Sequence, residues 1–141
     1  MKIVSNQLFS KADGAVEESL NHRLAKQNVL SANITNANTP GYRALGYAFE
    51  SQLQDALGNS SALALRVTNG KHIFSSGQDA SGNVKPDLHV KPTESVGNDG
   101  NTVDVDAEMA ELAETQILYR ASVEVLNRKF AMMRYGINGG R

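Results

Sequence analysis

The chain has 141 residues, is 40% hydrophobic but only 6% aromatic, contains no Cys and no Trp, and carries a formal net charge of −1. That length suits one domain with a thin aliphatic core. The missing Cys excludes disulfides, thiolate metal centres and a Cys nucleophile, and the balanced charge leaves no nucleic-acid footprint. No stretch approaches the ~18 apolar residues of a membrane span. The opening MKIVSNQLFSKADG lacks the apolar run of a cleavable secretory signal. These features predict a soluble chain that stays in the cytoplasm or leaves by an unusual route.

The first predicted helix runs from about Asp13 to Asn36, with an apolar stripe through Val16, Leu20, Leu24, Leu30, Ile34 and Ala37 that Gln27 interrupts. It ends in ANITNANTPGY, residues 32–42, where poor helix formers precede a Pro-Gly breaker. Pro40 biases Thr39 away from the α region and so stops the helix. Asn38 is expected in a left-handed cap, and Pro40-Gly41 suits a type II turn. Asn33 and Asn36 lie one turn apart on one face. In a crowded array their amides are expected to bond backbone groups of neighbouring chains and fix register.

Residues 41–103 have a different character, rich in Gly, Ser, Asn and Asp. ALALRVTNGKHIF, residues 62–74, alternates apolar and polar residues around Asn69-Gly70 and reads as a short hairpin. SSGQDASGNVKPD reads as a loop, and LHVKPT as one more extended piece near an edge because of Pro92. The expectation is extended chain and loops, with few packed strands.

The C-terminal segment is the best patterned. Steps of four and three from Val105 reach Met109, Leu112, Gln116, Tyr119, Val123, Leu126, Phe130, Met133 and Ile137. All but Gln116 are apolar or aromatic, which makes a heptad-like seam over more than four repeats. Ala110, Ala113, Ile117 and Val125 widen the stripe towards further partners. Asp104 is the expected N-cap, acids crowd the first half, bases the second, and Gly136, Gly139 and Gly140 close the helix. From 104 to 137 such a helix is roughly 50 Å long. One helix pair cannot cover both stripes all round, so the chain reads as built to assemble.

Candidate chemistry is thin. His22, His72 and His89 show no metal-ligand spacing, no G-x-S-x-G elbow supports a hydrolase, and no phosphate-binding glycine loop is present. Asp99, Asn101, Asp104 and Asp106 crowd together, but with Gly100 at the sixth position of a calcium loop the first would be Ser95 and the third Gly97. A turn leading into a helix cap explains them better. Catalytic, cofactor and metal sites are therefore all expected to be absent.

LSANITNANTPGYRA, residues 30–44, resembles the N-terminal signature of the axial proteins of the bacterial flagellum, carried here by Asn33, Ile34, Asn36, Thr39, Pro40, Gly41 and Tyr42. KHIF, HVKPTESVGNDGNTVDVDAEMAELAE and LYRASVEVLNRKFAMMRYGING resemble the proximal rod subunits of the FlgB type, so the resemblance covers nearly the whole chain. It implies a mainly α fold in which long N- and C-terminal helices pair as a coiled-coil-like hairpin, with an extended loop and short-β middle segment. Residues 1–40 and 104–141 would form one discontinuous helical domain and 41–103 an insert.

The resemblance further implies a structural, non-enzymatic rod subunit that transmits torque from the MS ring to the hook and encloses the export channel, required for flagellum assembly and motility. Its implied partners are copies of itself, other rod subunits, the MS ring with its rod adaptor protein, and the flagellar type III export apparatus. No nucleic acid, small-molecule substrate or cofactor is implied. The implied location is the basal-body rod in the periplasmic space, reached without a cleavable signal peptide. Two alternatives rank below it. A soluble enzyme finds no motif, and a free-standing coiled-coil adaptor or secretion chaperone would not need the Asn-rich Pro-Gly signature.

Overall fold

The computed structural model describes residues 11–57, 84–92 and 96–139. The elements run α1 (Lys11–Thr35), β1 (Leu45–Ala48), α2 (Glu50–Ala56), β2 (Asp87–Val90) and α3 (Val105–Ile137). The fold is mainly α, and its two long helices pack on each other. Three cross-links fix their antiparallel register: Asp13 to Lys129, Lys26 to Glu111 and Asn33 to Glu108. The hairpin at 62–74, the loop at 75–83 and the first ten residues lie outside the described residues.

Both ends of α3 follow from local chemistry. The Asp104 carboxylate accepts from the N–H groups of Asp106 and Ala107, at 3.0 and 3.1 Å, which satisfies two donors the helix cannot pair internally. Asp106 and Glu108 add negative charge in the first turn. At the far end Gly136 stays helical, and the chain leaves at Asn138 and Gly139, the latter at a φ of 66°.

The expected extended piece at LHVKPT is β2, antiparallel to β1 with Leu45 opposite Val90 and Ala48 opposite Asp87. β1 and α2 depart from the expectation of open loops. β1 forms because Leu45–Ala48 is clamped between α1 and β2. α2 is a seven-residue helix of good helix formers, started by Glu50, whose carboxylate accepts from the Phe49 N–H. Its apolar signal is too short to register as a period.

The core among the described residues is small: Leu30, Ala44, Phe49 and Val84. Phe49 is fully buried. His22 stacks on Phe49 with ring centres 5.2 Å apart, and its Nδ1 shares a 2.8 Å hydrogen bond with the Tyr47 hydroxyl. Burial pushes that hydroxyl's pKa up. The Arg23 guanidinium lies over the Phe49 ring, 5.7 Å from its centre. Val84 is pinned to α1 through its N–H, which donates to Glu18.

Replacing Asp104 by Ala should lower stability by about 1 kcal/mol, the usual value of an N-cap. Urea unfolding followed by helix ellipticity checks this, and an unchanged midpoint would contradict the cap.

Candidate functional site

The signature 33–42 folds into a polar joint where α1 stops, and the mechanism differs from the expected left-handed Asn38. No non-glycine residue among those described has a positive φ, so Asn38 does not take the cap conformation. The turn carries that role instead. The Tyr42 N–H donates to the Thr39 carbonyl at 3.2 Å, and Gly41 has a φ of 71°, which makes Thr39–Tyr42 a type II turn with Pro40 at its second position. A residue with a Cβ at Gly41 would be strained.

The carbonyls of the turn that follows α1 are satisfied by a side chain more than sixty residues downstream. The buried Asn101 amide donates to the carbonyls of Asn36, Ala37 and Thr39 at 3.0, 2.9 and 2.9 Å, and its oxygen accepts from the Val103 N–H. The loop carrying Asn101 is itself a turn: the Gly97 N–H donates to the Asn101 carbonyl, and Asp99 accepts from the Asn101 N–H. Asp99 also ties this loop to the signature, its carbonyl accepting from the Gly41 N–H at 2.9 Å. Asp99, Asn101 and Asp104, which superficially suggest calcium, thus spend side-chain oxygens on backbone N–H groups. Among the described residues no cluster of His, Asp or Glu is arranged to hold a metal ion.

Asn33 is the centre of the joint and is fully buried. Its amide donates to the Leu45 carbonyl at 2.8 Å and to Glu108 Oε2 at 3.0 Å, and its oxygen accepts from the Leu45 N–H and the Tyr42 hydroxyl, both at 3.1 Å. An amide has four such valences, and all are used. Asn33 therefore meets Leu45 as a neighbouring strand would, and closes that edge of β1. Asn36 donates to the Ala32 carbonyl and accepts from Thr39 Oγ1. Asn33 thus spends its whole amide within the chain, where the sequence analysis expected neighbouring chains to receive it, and Asn36 spends one donor and one acceptor there. Ile34 is half-buried.

Glu108 extends the joint into a charged cluster. It is only 2% exposed, and its second oxygen accepts from Lys91 Nζ at 2.7 Å. Lys91 also reaches Glu111 at 2.8 Å, Glu111 reaches Lys26 at 3.1 Å, and Lys26 lies 3.5 Å from Glu50. One network therefore joins α1, α2, α3 and the end of β2. Burial opposes the charge on Lys91 but is outweighed by the hydrogen bonds and charges of Glu108 and Glu111, so its pKa is raised. For Glu111 burial is outweighed by Lys91 and Lys26, and its pKa is lowered. For Glu50 burial is outweighed by the backbone N–H groups of Phe49 and Glu50 and by Lys26, with the same result.

This cluster rotates α3 relative to the heptad reading. Of the ten seam positions, Leu112, Tyr119, Val123, Leu126 and Met133 are half-buried. Val105, Met109, Gln116, Phe130 and Ile137 are exposed. The two buried residues of α3 are Glu108 and Thr115, one place away from Met109 and Gln116. The polar groups of α1, namely Asp13, Lys26 and Asn33, require polar partners, and turning Glu108, Glu111 and Lys129 inward leaves one edge of the apolar stripe facing out. Ile117, Leu118, Val125 and Met132 are exposed as well. Sequence reasoning missed Asn101, Lys91 and Glu108 as members of this joint. Their one visible trace was polar residues where a plain loop and a plain first helical turn would tolerate many others.

Known proteins resemble this chain both at the signature and along its length. The family model described as flagella basal body rod protein matches residues 17–43, which include most of α1 and the whole joint signature. The flagellar basal body rod protein FlgB of Yersinia ruckeri is 36% identical, covering 84% of this chain and 90% of its own length. The proteins of the same name from Bacillus subtilis and Salmonella typhimurium are 35% and 33% identical, covering 95% and 94% of this chain and 98% and 99% of their own lengths.

Two outcomes test the joint. Asn33→Ala should cost about 3–5 kcal/mol, because it strands several buried polar groups and one buried carboxylate. Asn33→Asp should cost a similar amount at neutral pH but recover in part as pH falls, since the new carboxylate faces Glu108 and protonation restores one of the two lost donors; urea midpoints against pH separate the two. For the parent chain, the lowered pKa values of Glu111 and Glu50 mean that their stabilisation is present above the unfolded carboxylate value and lost as pH falls through the folded ones. Lys91, with a raised pKa, stabilises below the unfolded Lys value and stops doing so as pH rises through its folded value. The midpoint should therefore be flat between these limits and drop on both sides, with a shallower acid limb in Glu111→Gln.

Proposed function

The chain belongs to the flagellar basal body rod proteins of the FlgB type, and from that premise we propose that it is a non-catalytic subunit of the proximal rod, assembling with copies of itself and with other rod subunits. In this reading the paired α1 and α3 pack beside those of neighbouring subunits to enclose the export channel, and the array carries torque from the MS ring to the hook. Its lower neighbours are the MS ring and the rod adaptor protein. It reaches the periplasmic space through the flagellar type III export apparatus, without a cleavable signal peptide. Among the described residues no helix is long and apolar enough to cross a membrane.

The uncovered face of α3 carries the proposal. Met109, Ile117, Leu118, Val125, Phe130 and Met132 are exposed on a helix whose other face is engaged with α1. A helix packed on one side normally turns polar residues to water. Large apolar side chains exposed in this number on one helix mark an interaction surface, and covering each contributes about 1.5–3 kcal/mol. The signature and seam residues divide the work: the 33–42 joint fixes how the helices meet inside one subunit, and the outer edge of the seam, with Met109 and Phe130, faces the neighbours.

Val125→Asp and Leu126→Asp distinguish the two faces. Val125 is exposed, so its substitution should leave the monomer's melting temperature within a degree or two while abolishing flagella in a strain lacking the parent gene. Leu126 is half-buried, so its substitution should lower monomer stability as well. Motility retained with Val125→Asp would count against assembly through this face.

A further inference from the structure

The outer face of α3 has an order of its own. Ala110, Ala121 and Met132 are spaced eleven residues apart, as are Glu114 and Val125, and Ile117 and Arg128. An eleven-residue step is three turns of about 3.67 residues each, so the line drifts by only about 20° per repeat around an α-helix. It runs on the side of α3 away from the buried Glu108 and Thr115, over a length of roughly 33 Å. All seven residues are exposed. Ile117, Val125 and Met132 are 66%, 59% and 68% exposed, so the chain itself does not cover them.

The line is also symmetric in its chemistry. Counted outward from Ala121, Ile117 matches Val125, Glu114 matches Arg128 and Ala110 matches Met132. The matches are two branched aliphatics, two opposite charges, and a small residue with a long one. Two copies laid antiparallel about a two-fold axis at Ala121 bring every residue of the line against its match. Glu114 of each copy then meets Arg128 of the other, and the small Ala121 side chains let the helices approach at the axis. Laid parallel and in register, the same line sets Glu114 against Glu114 and Arg128 against Arg128. The charges therefore select the antiparallel arrangement. The Arg128 Nε donates to Glu124 on its own helix at 3.0 Å, an exposed pair of little worth. A guanidinium has five N–H donors, enough to take a second carboxylate as well.

We infer that the outer face of α3 docks one second copy of this chain, in an isologous antiparallel pair centred on Ala121. Such a pair is closed: each copy uses the same patch, so the contact cannot extend into a filament. The pair belongs to the free chain and does not rest on the rod reading.

Cross-linking and sedimentation of the full-length chain test it. The parent chain has no Cys, so single cysteines report the geometry. Ala121→Cys should give a disulfide-linked dimer on mild oxidation, since a disulfide needs Cα atoms within about 7 Å. Met132→Cys should not, because its two copies would lie roughly 33 Å apart along the helices. In sedimentation the chain should show monomer and dimer and nothing larger. Glu114→Arg and Arg128→Glu should each weaken the dimer at least about tenfold. An equimolar mixture of the two variants should restore it, because the mixed pair again sets opposite charges together. A chain that stays monomeric at high micromolar concentration would overturn the inference. So would Met132→Cys cross-linking as readily as Ala121→Cys, which marks a parallel pair, a mixture no tighter than either variant alone, or species that grow beyond the dimer with concentration. These readouts use purified chain and are separate from flagellation in cells.

Discussion

The structure turns on one buried carboxamide. Asn33 sits where α1, β1 and α3 meet, and each of its four hydrogen-bonding valences is taken by a different group of these elements or of the intervening turn. A buried polar group is costly when half satisfied and directional when fully satisfied. Here the directions matter more than the strength. An aliphatic side chain at 33 would let α1 slide or rotate against α3; the amide permits one arrangement, because only there do Leu45, Tyr42 and Glu108 all reach it.

The remaining features follow from keeping that site paired. Glu108 must be buried to meet Asn33, so it needs a cation, and Lys91 supplies it from the end of β2. Lys91 brings Glu111 and Lys26 into the cluster, which fixes the rotation of α3. Burying the Glu108 carboxylate has a desolvation cost that offsets much of its attraction to Lys91, so the pair adds little net stability. The cost of that rotation is visible on the other side, where the apolar edge of α3 is left to solvent in the single chain. A subunit whose inner face is set by polar register and whose outer face is apolar is defined before it meets its neighbours, and still has reason to meet them. Its small core, in which Phe49 is the one large aromatic fully buried among the described residues, is consistent with a fold completed by assembly.

Much of this was legible in the chain itself. The heptad spacing located α3 from Val105 to Ile137, Asp104 announced its cap, and Pro40-Gly41 announced the turn. LHVKPT gave β2. The joint was visible as an oddity, three asparagines at a helix end, but not as a mechanism. Its partners lie far along the chain: Asn101 is 65 residues from Asn36, and Glu108 is 75 from Asn33. No local period encodes such pairs. Half of the heptad positions turn towards α1 and half do not for the same reason, since hydrophobicity alone favours Met109 inward over Glu108, and only the polar groups of α1 reverse that preference. β1 and α2 were too short to carry a periodic signal and depend on what they pack against.

The central claim is that Asn33 and Glu108 act as one unit that locks the two long helices. A double-mutant cycle in urea unfolding, using Asn33→Ala, Glu108→Ala and the double variant, measures it directly. Two buried residues that satisfy each other should show a coupling energy of at least about 1 kcal/mol, with the double variant less destabilised than the sum of the single ones. Additivity within about 0.3 kcal/mol would show that the two residues stabilise the chain independently, and would contradict the account.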